Sequence, residues 1–263
     1  MNISKVAIIG GGNLGTSIAR GIRSLEKFSN ESVLISEKRT LRKDYLVSEG
    51  FQVVNNNIDA VQNADLVIVS VKPQQFPGIL QEINSALTDD KLLISTVTGF
   101  SHNSIEGIIG NKPNVRIMPN TAIEICAAMT CFSVSNTSAE QDKDVLNLFQ
   151  MLGEAILVQE DQLDAVTVLG ACGIAFALRF IRAATQGGIE IGFSAELSSL
   201  IAAKTVEGAA KLLIENSSHP EREIDKVTTP QGITISGLNE MEHQGFSSSV
   251  IKGILASFTK LSS

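Results

Sequence analysis

The sequence predicts an α/β protein in which an N-terminal doubly wound sheet is followed by an all-helical C-terminal region. Over the first 160 or so residues, short β-branched runs alternate with helical patterns, as in parallel βαβ units. The first of these runs leads directly into a glycine-rich turn. After about Asp161, Ala, Leu, Gly and Ser at helical spacing replace the β-branched runs. We therefore expect two domains, residues 1–161 and residues 162–263.

Six strands are predicted in the N-terminal domain. Several are apolar throughout instead of alternating, which is typical of parallel strands that helices cover on both faces. In chain order they are Lys5–Ile9, Ser32–Ser36, Phe51–Val54, Asp65–Val71, Leu92–Val97 and Asn114–Met118.

The C-terminal domain is predicted to contain amphipathic helices that dimerise. Ser194 and Ser247 are suitable N-caps for two of them. Small residues would allow close helix approach, and helices of this kind do not readily bury their apolar surface within about 100 residues, so a homo-oligomer is expected. Two apolar stripes are present, Leu197, Ile201, Thr205, Gly208 and Leu212, and Val250, Ile254, Phe258 and Leu261.

Composition excludes several classes of function. The net charge of -7 and the pI of about 5.1 argue against general affinity for nucleic acid or anionic membranes. Cys126, Cys131 and Cys172 are interpreted as reduced core thiols. The three histidines have no companions at ligand spacing, so no metal site is expected.

The sequence also predicts a cytoplasmic location. The chain starts with a strand that runs straight into the glycine turn, without the charged leader and hydrophobic run of a signal peptide. The longest uncharged segment, Ala165–Leu178, is too short by itself to cross a bilayer.

The glycine turn predicts a Rossmann-type dinucleotide site. Gly10 permits the tight turn, Gly12 lets the backbone approach the pyrophosphate, and Gly15 lets the helix pack against the strand. Asn13 and Leu14 open the helix whose N-terminal N–H groups favour an anion. A purely structural turn is the alternative, but the strand before it and the apolar helix after it favour the cofactor site.

The tip of the second strand, Ser36-Glu37-Lys38-Arg39, bears on the choice of cofactor. An acid there accepts hydrogen bonds from the 2′-OH of NAD, whereas a cation neutralises the 2′-phosphate of NADP. Both cues are present. If Ser36 is nearest the ribose, Lys38 and Arg39 favour NADP (NADPH), with NAD (NADH) possible. Without a cofactor, the basic cluster that also includes Arg42 and Lys43 would be only a solvated face.

Other candidate cofactor residues follow later strands of the sheet. Ligands of open α/β sheets bind at the carboxyl ends of the strands. Lys72 would face either the cofactor or solvent, and both readings are open. The candidates in this group are Asn57, Val71, Lys72, Pro73 and Asn120.

A hydroxyl-rich loop, Val227–Ile235, interrupts the C-terminal helices and opens another helix at about Ile235. Its N–H groups suit a carboxylate, and its hydroxyls suit a substrate nitrogen or carbonyl. On spacing alone, an ordinary helix-capping turn is the preferred interpretation.

Five segments in order resemble the pyrroline-5-carboxylate reductase family over the whole chain: IIGGGNLG, ADLVIVSVKP, RIMPNT, KTVEGAAKLL and VTTPQGITISGLNEMEHQGF. The resemblance implies reduction of 1-pyrroline-5-carboxylate to L-proline by hydride transfer to a cyclic imine, the last step of proline biosynthesis. It implies a homodimer or a ring of dimers through the C-terminal helices. It also implies that Thr229, Gly232, Ile233 and Thr234 bind the substrate, with the Thr234 hydroxyl at the ring nitrogen.

The sequence departs from the family pattern in three places. The family usually has glycine at Gln231, proline at Ala122 and a serine-rich segment at Gly170–Phe176. Two alternatives therefore stay open: a reductase of another small imine or keto acid, and a catalytically silent nucleotide-binding paralogue.

Overall fold

The computed structural model describes residues 3–261 and confirms the predicted fold class, with a Rossmann-like sheet before a helical region. The chain forms two compact units that join between Cys172 and Gly173. The boundary between residues 161 and 162 stays a prediction.

An eight-stranded sheet forms the first unit, with strand order β3-β2-β1-β4-β5-β6-β7-β8. Strands β1 to β6 are parallel, β7 is antiparallel to β6, and β8 is parallel to β7. All six predicted strands are present, but β7 and β8 were missed. The strands are β1 Val6–Ile9, β2 Val33–Ser36, β3 Gln52–Val54, β4 Leu66–Val69, β5 Leu92–Ser95, β6 Asn114–Met118, β7 Ala128–Ser135 and β8 Gly153–Leu157.

Helices connect these strands. They are α1 Asn13–Ser24, α2 Thr40–Ser48, α3 Asn57–Gln62, α4 Phe76–Ile83, α5 His102–Ile109, α6 Ala139–Gln150 and α7 Leu163–Val166. Short 3₁₀ turns occupy Pro73–Gln75, Thr121–Ile125 and Glu160–Gln162, and a π-helical segment occupies Thr167–Cys172.

The core lies on both faces of the sheet. Along β1, Val6 and Ile8 join one apolar cluster, whereas Ala7 and Ile9 join a second. Side chains alternate between the faces of a strand, so a strand that is covered on both faces is apolar throughout. Since β1 lies between β2 and β4, the strand order reverses there, and the carboxyl ends of these strands frame the usual ligand crevice of such sheets.

The second unit is helical. Its helices are α8 Gly173–Glu190, α9 Ala195–Asn216, α10 Pro220–Val227, α11 Ile233–His243 and α12 Phe246–Leu261. Gly188 allows α8 and α9 to approach closely, because a Cβ there would lie 1.9 Å from Ser198 Oγ.

One of the two predicted N-caps is confirmed and the other is wrong. Ser194 Oγ accepts a hydrogen bond from the Leu197 N–H at 3.2 Å and caps α9. Ser247 lies inside α12, which begins one residue earlier, and its hydroxyl donates to Glu242 Oε1 at 2.6 Å. Gly245, with φ +79°, lies in the short connection between α11 and α12, and α12 starts at the next residue, Phe246.

The predicted apolar stripe of α9 is exposed in the single chain. Leu197, Ile201 and Leu212 are 45%, 44% and 48% exposed. The helical stretch Glu160–Glu190 is also long and apolar enough to span a membrane by length and composition alone, and only 11% of its apolar 18-residue window is buried in the single chain. This stretch extends well beyond the uncharged Ala165–Leu178, so the argument from segment length does not hold.

A candidate dinucleotide cleft and a hydroxyl-rich loop

A cavity of about 560 Å³ lies where β1, β2 and β4 end. Most of the predicted cofactor residues line it: Gly10, Gly12, Asn13, Leu14, Ser36, Lys38, Arg39, Asn57, Val71 and Lys72. Sequence reasoning did not assign six further lining residues to the site, namely Ile9, Glu37, Ser70, Gln75, Ile79 and Thr96. The cavity therefore gathers residues from the glycine turn, the β2 tip and the segments that follow β4 and β5.

The three glycines of the turn differ in what requires them. Gly10 has φ +107°, and a Cβ there would lie 2.2 Å from the Ser70 carbonyl oxygen. A Cβ at Gly15 would lie 2.1 Å from the Gly10 carbonyl oxygen. Gly12 has an ordinary φ of -67°, and its Cβ would meet nothing within 4 Å among the described residues. The protein's own packing therefore requires Gly10 and Gly15 but leaves space at Gly12, beside the cavity.

The N-terminus of α1 opens on this space. Gly12 is the N-cap, and no side chain of residues 3–261 caps the helix. The first N–H groups of a helix, here those of Asn13 and Leu14, have no partner within the helix. Such groups and the helix dipole bind phosphate well. This end of α1 therefore fits the pyrophosphate of a dinucleotide.

At the β2 tip, Ser36 is part of the cavity wall. Its hydroxyl donates to Asn57 Oδ1 at 2.6 Å, and Asn57 Nδ2 donates to Glu82 Oε2 at 2.9 Å. Lys38 is 62% exposed, and its ammonium lies 3.3 Å from the same Glu82 oxygen. Ser36 and Asn57 thus hold each other in place, while Lys38 is held only loosely.

Glu37 lines the cavity, was not assigned to the site, and is held by several hydrogen bonds. Its side chain is only 7% exposed, and it accepts hydrogen bonds from the Gly11 N–H at 3.2 Å and from the Arg39 N–H at 2.9 Å. The Arg39 guanidinium donates to both carboxylate oxygens, at 3.0 and 2.8 Å. Burial raises the pKa of the Glu37 carboxyl, but the hydrogen bonds from Arg39 and Gly11 outweigh burial and hold that pKa below its ordinary value. Glu37 is therefore ionised at neutral pH.

Arg42 of the basic cluster braces the glycine turn. Its Nε donates to the Gly11 carbonyl at 2.6 Å, and its Nη2 donates to Thr16 Oγ1 at 2.9 Å. The cluster is therefore more than a solvated face, because at least this member fixes the turn that ends at α1.

Three predicted cofactor residues do not line the cavity. Gly15 packs against the turn, and Pro73 begins the 3₁₀ turn that follows Lys72. Asn120 caps the next 3₁₀ turn by accepting from the Ala122 N–H at 3.0 Å, and its Nδ2 donates to the Gly170 carbonyl at 3.2 Å. Their roles as cofactor ligands stay predictions, and the contacts described here are structural.

The hydroxyl-rich loop of the second unit has a strained centre. Gln231 has φ +59°, the left-handed region, where a residue with a side chain costs roughly 1–2 kcal/mol relative to glycine. The Gly232 N–H donates to the Thr229 carbonyl at 2.9 Å, and a Cβ at Gly232 would lie 2.5 Å from Thr229 Oγ1. The loop therefore retains its tight turn although Gln231 replaces the usual glycine.

This loop ends at the N-terminus of α11. Gly232 is the N-cap, so Ile233 and Thr234 form the first turn, two residues earlier than predicted. Ile233 is 92% exposed, and none of the described side chains caps the helix. The uncapped N–H groups and the Thr234 hydroxyl make this a suitable place for a carboxylate.

No three His, Cys, Asp or Glu side chains among residues 3–261 group in a way that could hold a metal ion.

Two family models match the chain. Residues 5–99 match a model described as NADP oxidoreductase, coenzyme F420-dependent, and residues 160–263 match pyrroline-5-carboxylate reductase dimerisation. Pyrroline-5-carboxylate reductase 2 of Dictyostelium discoideum is 42% identical, and the alignment covers 99% of this chain and 93% of that relative. The chain belongs to the pyrroline-5-carboxylate reductase family. The resemblance inferred from the five sequence segments is therefore confirmed.

Another relative and a solved structure extend this comparison. Pyrroline-5-carboxylate reductase 1 of D. discoideum is 45% identical over 98% of this chain, which spans 49% of that relative's length. The crystal structure of Plasmodium falciparum pyrroline carboxylate reductase with NADP bound is 25% identical, with a TM-score of 0.88, covering 99% of this chain and 97% of that one. The family's fold thus extends over both units of the chain.

Proposed function

We propose that this chain reduces 1-pyrroline-5-carboxylate to L-proline with a nicotinamide cofactor, the last step of proline biosynthesis. The observation that carries the proposal is the glycine turn, whose space at Gly12 and uncapped α1 N-terminus suit a pyrophosphate. Membership of the reductase family supports the choice of 1-pyrroline-5-carboxylate as the substrate.

The residues of the cleft favour NADPH. The P. falciparum relative has NADP bound, and the β2 tip of this chain carries Lys38 and Arg39 at the cavity wall. When bound, the cofactor supplies a hydride. Asn13 and Leu14 would hold the pyrophosphate through their N–H groups, while Val71 and Lys72 would line the crevice after β4.

The loop before α11 supplies the substrate contacts. The N–H groups of Gly232, Ile233 and Thr234 would bind the substrate carboxylate, together with Thr229, and the Thr234 hydroxyl would hold or donate a proton at the ring nitrogen. A protonated cyclic imine is already electrophilic at carbon, so the reaction needs placement more than a strong acid. A hydroxyl is sufficient for that role.

The test measures the absorbance of the reduced cofactor while 1-pyrroline-5-carboxylate is added, first with NADPH and then with NADH. We expect the cofactor to be oxidised and one proline to form for each cofactor consumed. At limiting cofactor concentration, turnover should be faster with NADPH than with NADH. Parallel assays with other small cyclic imines and with keto acids identify a different substrate if one of them reacts faster. Tight nucleotide binding without any turnover would instead indicate a silent paralogue and contradict the proposal.

The match to a dimerisation model supports oligomer formation, and we propose a homodimer or a ring of dimers that covers the exposed stripe of α9. A lysine at Ile201 would have to be buried in that contact, at a high desolvation cost. We expect Ile201→Lys to shift the mass in sedimentation towards the monomer, whereas Lys211→Gln, at an exposed position on the same helix, should leave it unchanged. An Ile201→Lys protein with the wild-type mass would place the contact elsewhere.

We also propose that the enzyme works in the cytoplasm. Its cysteines, Cys126, Cys131 and Cys172, are all free thiols, as is usual in a reducing compartment.

A further inference from the structure

Glu37 and Arg39 meet at the wall of the cleft in an unusual arrangement. Glu37 carries the carboxylate and Arg39 the guanidinium, and both residues line the same cavity. The carboxylate is buried, with 7% of the side chain exposed, whereas the arginine side chain is 68% exposed and lies over it. The acidic side chain that suits NAD and a basic side chain that suits NADP are therefore in direct contact at the β2 tip.

This contact uses the acceptor capacity of the carboxylate. Oε1 accepts from the N–H and Nε of Arg39, and Oε2 accepts from Nη2 of Arg39 and from the Gly11 N–H. In this fold an acid at this point accepts hydrogen bonds from ribose hydroxyls, and a cation neutralises a 2′-phosphate. Glu37 therefore cannot accept hydrogen bonds from ribose hydroxyls until the Arg39 guanidinium moves away.

The guanidinium retains donors for a phosphate. Its Nε and Nη2 face Glu37, and Nη1 makes no hydrogen bond to any residue between 3 and 261. A fork that is held on one side by a carboxylate is preorganised, so less side-chain entropy is lost when a phosphate binds on the other side. Arg39 is thus presented to the cleft by Glu37.

Lys38 provides the contrast within the same tip. It pairs with a different carboxylate, that of Glu82, at 3.3 and 3.5 Å, and it is a flexible point charge instead of a planar fork. An exposed pair of this kind fixes neither partner well. Of the two cations, only Arg39 covers the carboxylate at the end of β2.

We propose that Glu37 and Arg39 form a cofactor-specificity pair, in which the guanidinium masks the ribose-binding carboxylate and is at the same time positioned by it for the 2′-phosphate. The proposal rests on the proposed nicotinamide-dependent function. With the pair closed, the cleft presents a cation and selects NADPH. With the exposed Arg39 swung away, it presents a carboxylate and accepts NADH.

The test is a double-mutant cycle that measures dissociation constants of NADPH and NADH by fluorescence titration, without substrate. Arg39→Met removes the cation and uncovers Glu37, so NADPH binding should weaken about 30-fold or more, the scale of a lost charge-assisted hydrogen bond. NADH binding should change less than about 3-fold or tighten, because the uncovered carboxylate suits the ribose hydroxyls. Lys38→Met is the matched control and should weaken NADPH binding less than Arg39→Met does.

The second substitution distinguishes masking from independent contributions. In the Arg39→Met background, Glu37→Gln should restore NADPH binding at least about 5-fold, because it removes a bare carboxylate next to a phosphate. In the wild-type background the same change should weaken NADPH binding by up to about 3-fold, because the carboxylate is already covered and its removal only loosens the guanidinium that it positions. An equal fold-change in both backgrounds would overturn the proposal. If the wild-type protein binds neither nucleotide, the proposed function fails as well. If it binds NADPH but the two fold-changes are equal, only the specificity pair fails.

Discussion

Gly12→Val should abolish nucleotide binding while the first unit stays folded. Gly12 has an ordinary backbone φ of -67°, and a Cβ there meets no described atom within 4 Å, so the added side chain enters the space in front of α1. A pyrophosphate that binds the α1 N–H groups needs that space. We expect the dissociation constants of NADPH and NADH to rise by about 100-fold or more, because the added side chain excludes the pyrophosphate and so removes its charge-assisted hydrogen bonds to the helix terminus.

The fold should tolerate this change better than changes at the neighbouring glycines. Valine is a poorer N-cap residue than glycine, and an unfavourable N-cap residue costs about 1 kcal/mol of stability. Gly10→Ala and Gly15→Ala should destabilise more, because their Cβ atoms would lie 2.2 and 2.1 Å from backbone oxygens. Thermal unfolding of the three variants beside nucleotide titration separates the two effects. If the Gly12→Val protein binds NADPH as tightly as the wild type does, the pyrophosphate does not bind at the N-terminus of α1.

The sequence predicted the parallel part of the sheet well because its signal is local. Strands such as β4 are covered on both faces and therefore consist of consecutive apolar residues. By contrast, β7 mixes Met, Thr, Cys and Ser, and β8 exposes Ile156 and Leu157 by 46% and 54%. A strand whose residues are neither uniformly apolar nor clearly alternating gives no reliable pattern, so these two were missed.

The cleft was predictable in its backbone and less so in its side chains. The glycine turn is a local requirement, and Gly10 and Gly15 fulfil it through close backbone contacts. The bracing of that turn by Arg42 and the masking of Glu37 by Arg39 depend on side chains that meet after β2 has ended. Strand alternation carries no information there, because residues beyond Ser36 are no longer in the strand.

The helical unit shows what a single chain leaves undecided. Helical periodicity placed the stripe of α9 correctly, and Ser194 marks its start. The stripe is nevertheless exposed, since periodicity predicts which side chains share a face and not what covers that face.

Thr234→Val should lower turnover about 100-fold and leave nucleotide binding unchanged. Thr234 lies in the first turn of α11, beside the exposed Ile233, where no described side chain caps the helix. Valine preserves the shape of the side chain and removes the hydroxyl that we assign to the ring nitrogen. Placement of a proton by one side chain contributes about 10²–10⁴-fold to a rate. Steady-state assays with 1-pyrroline-5-carboxylate and NADPH, beside titration of NADPH alone, measure the two quantities separately.

Two further variants determine whether the hydroxyl itself is responsible. Thr234→Ser retains the hydroxyl and should recover most of the turnover, whereas a merely structural role for the threonine methyl would leave it impaired. Ser236→Ala is the matched control on the same helix, because the Ser236 hydroxyl is engaged with the Gly232 carbonyl at 3.3 Å and is not assigned to substrate. Wild-type turnover in Thr234→Val would show that another group donates to the imine nitrogen. In that case the loop before α11 would act through its N–H groups alone, which a side-chain substitution leaves in place.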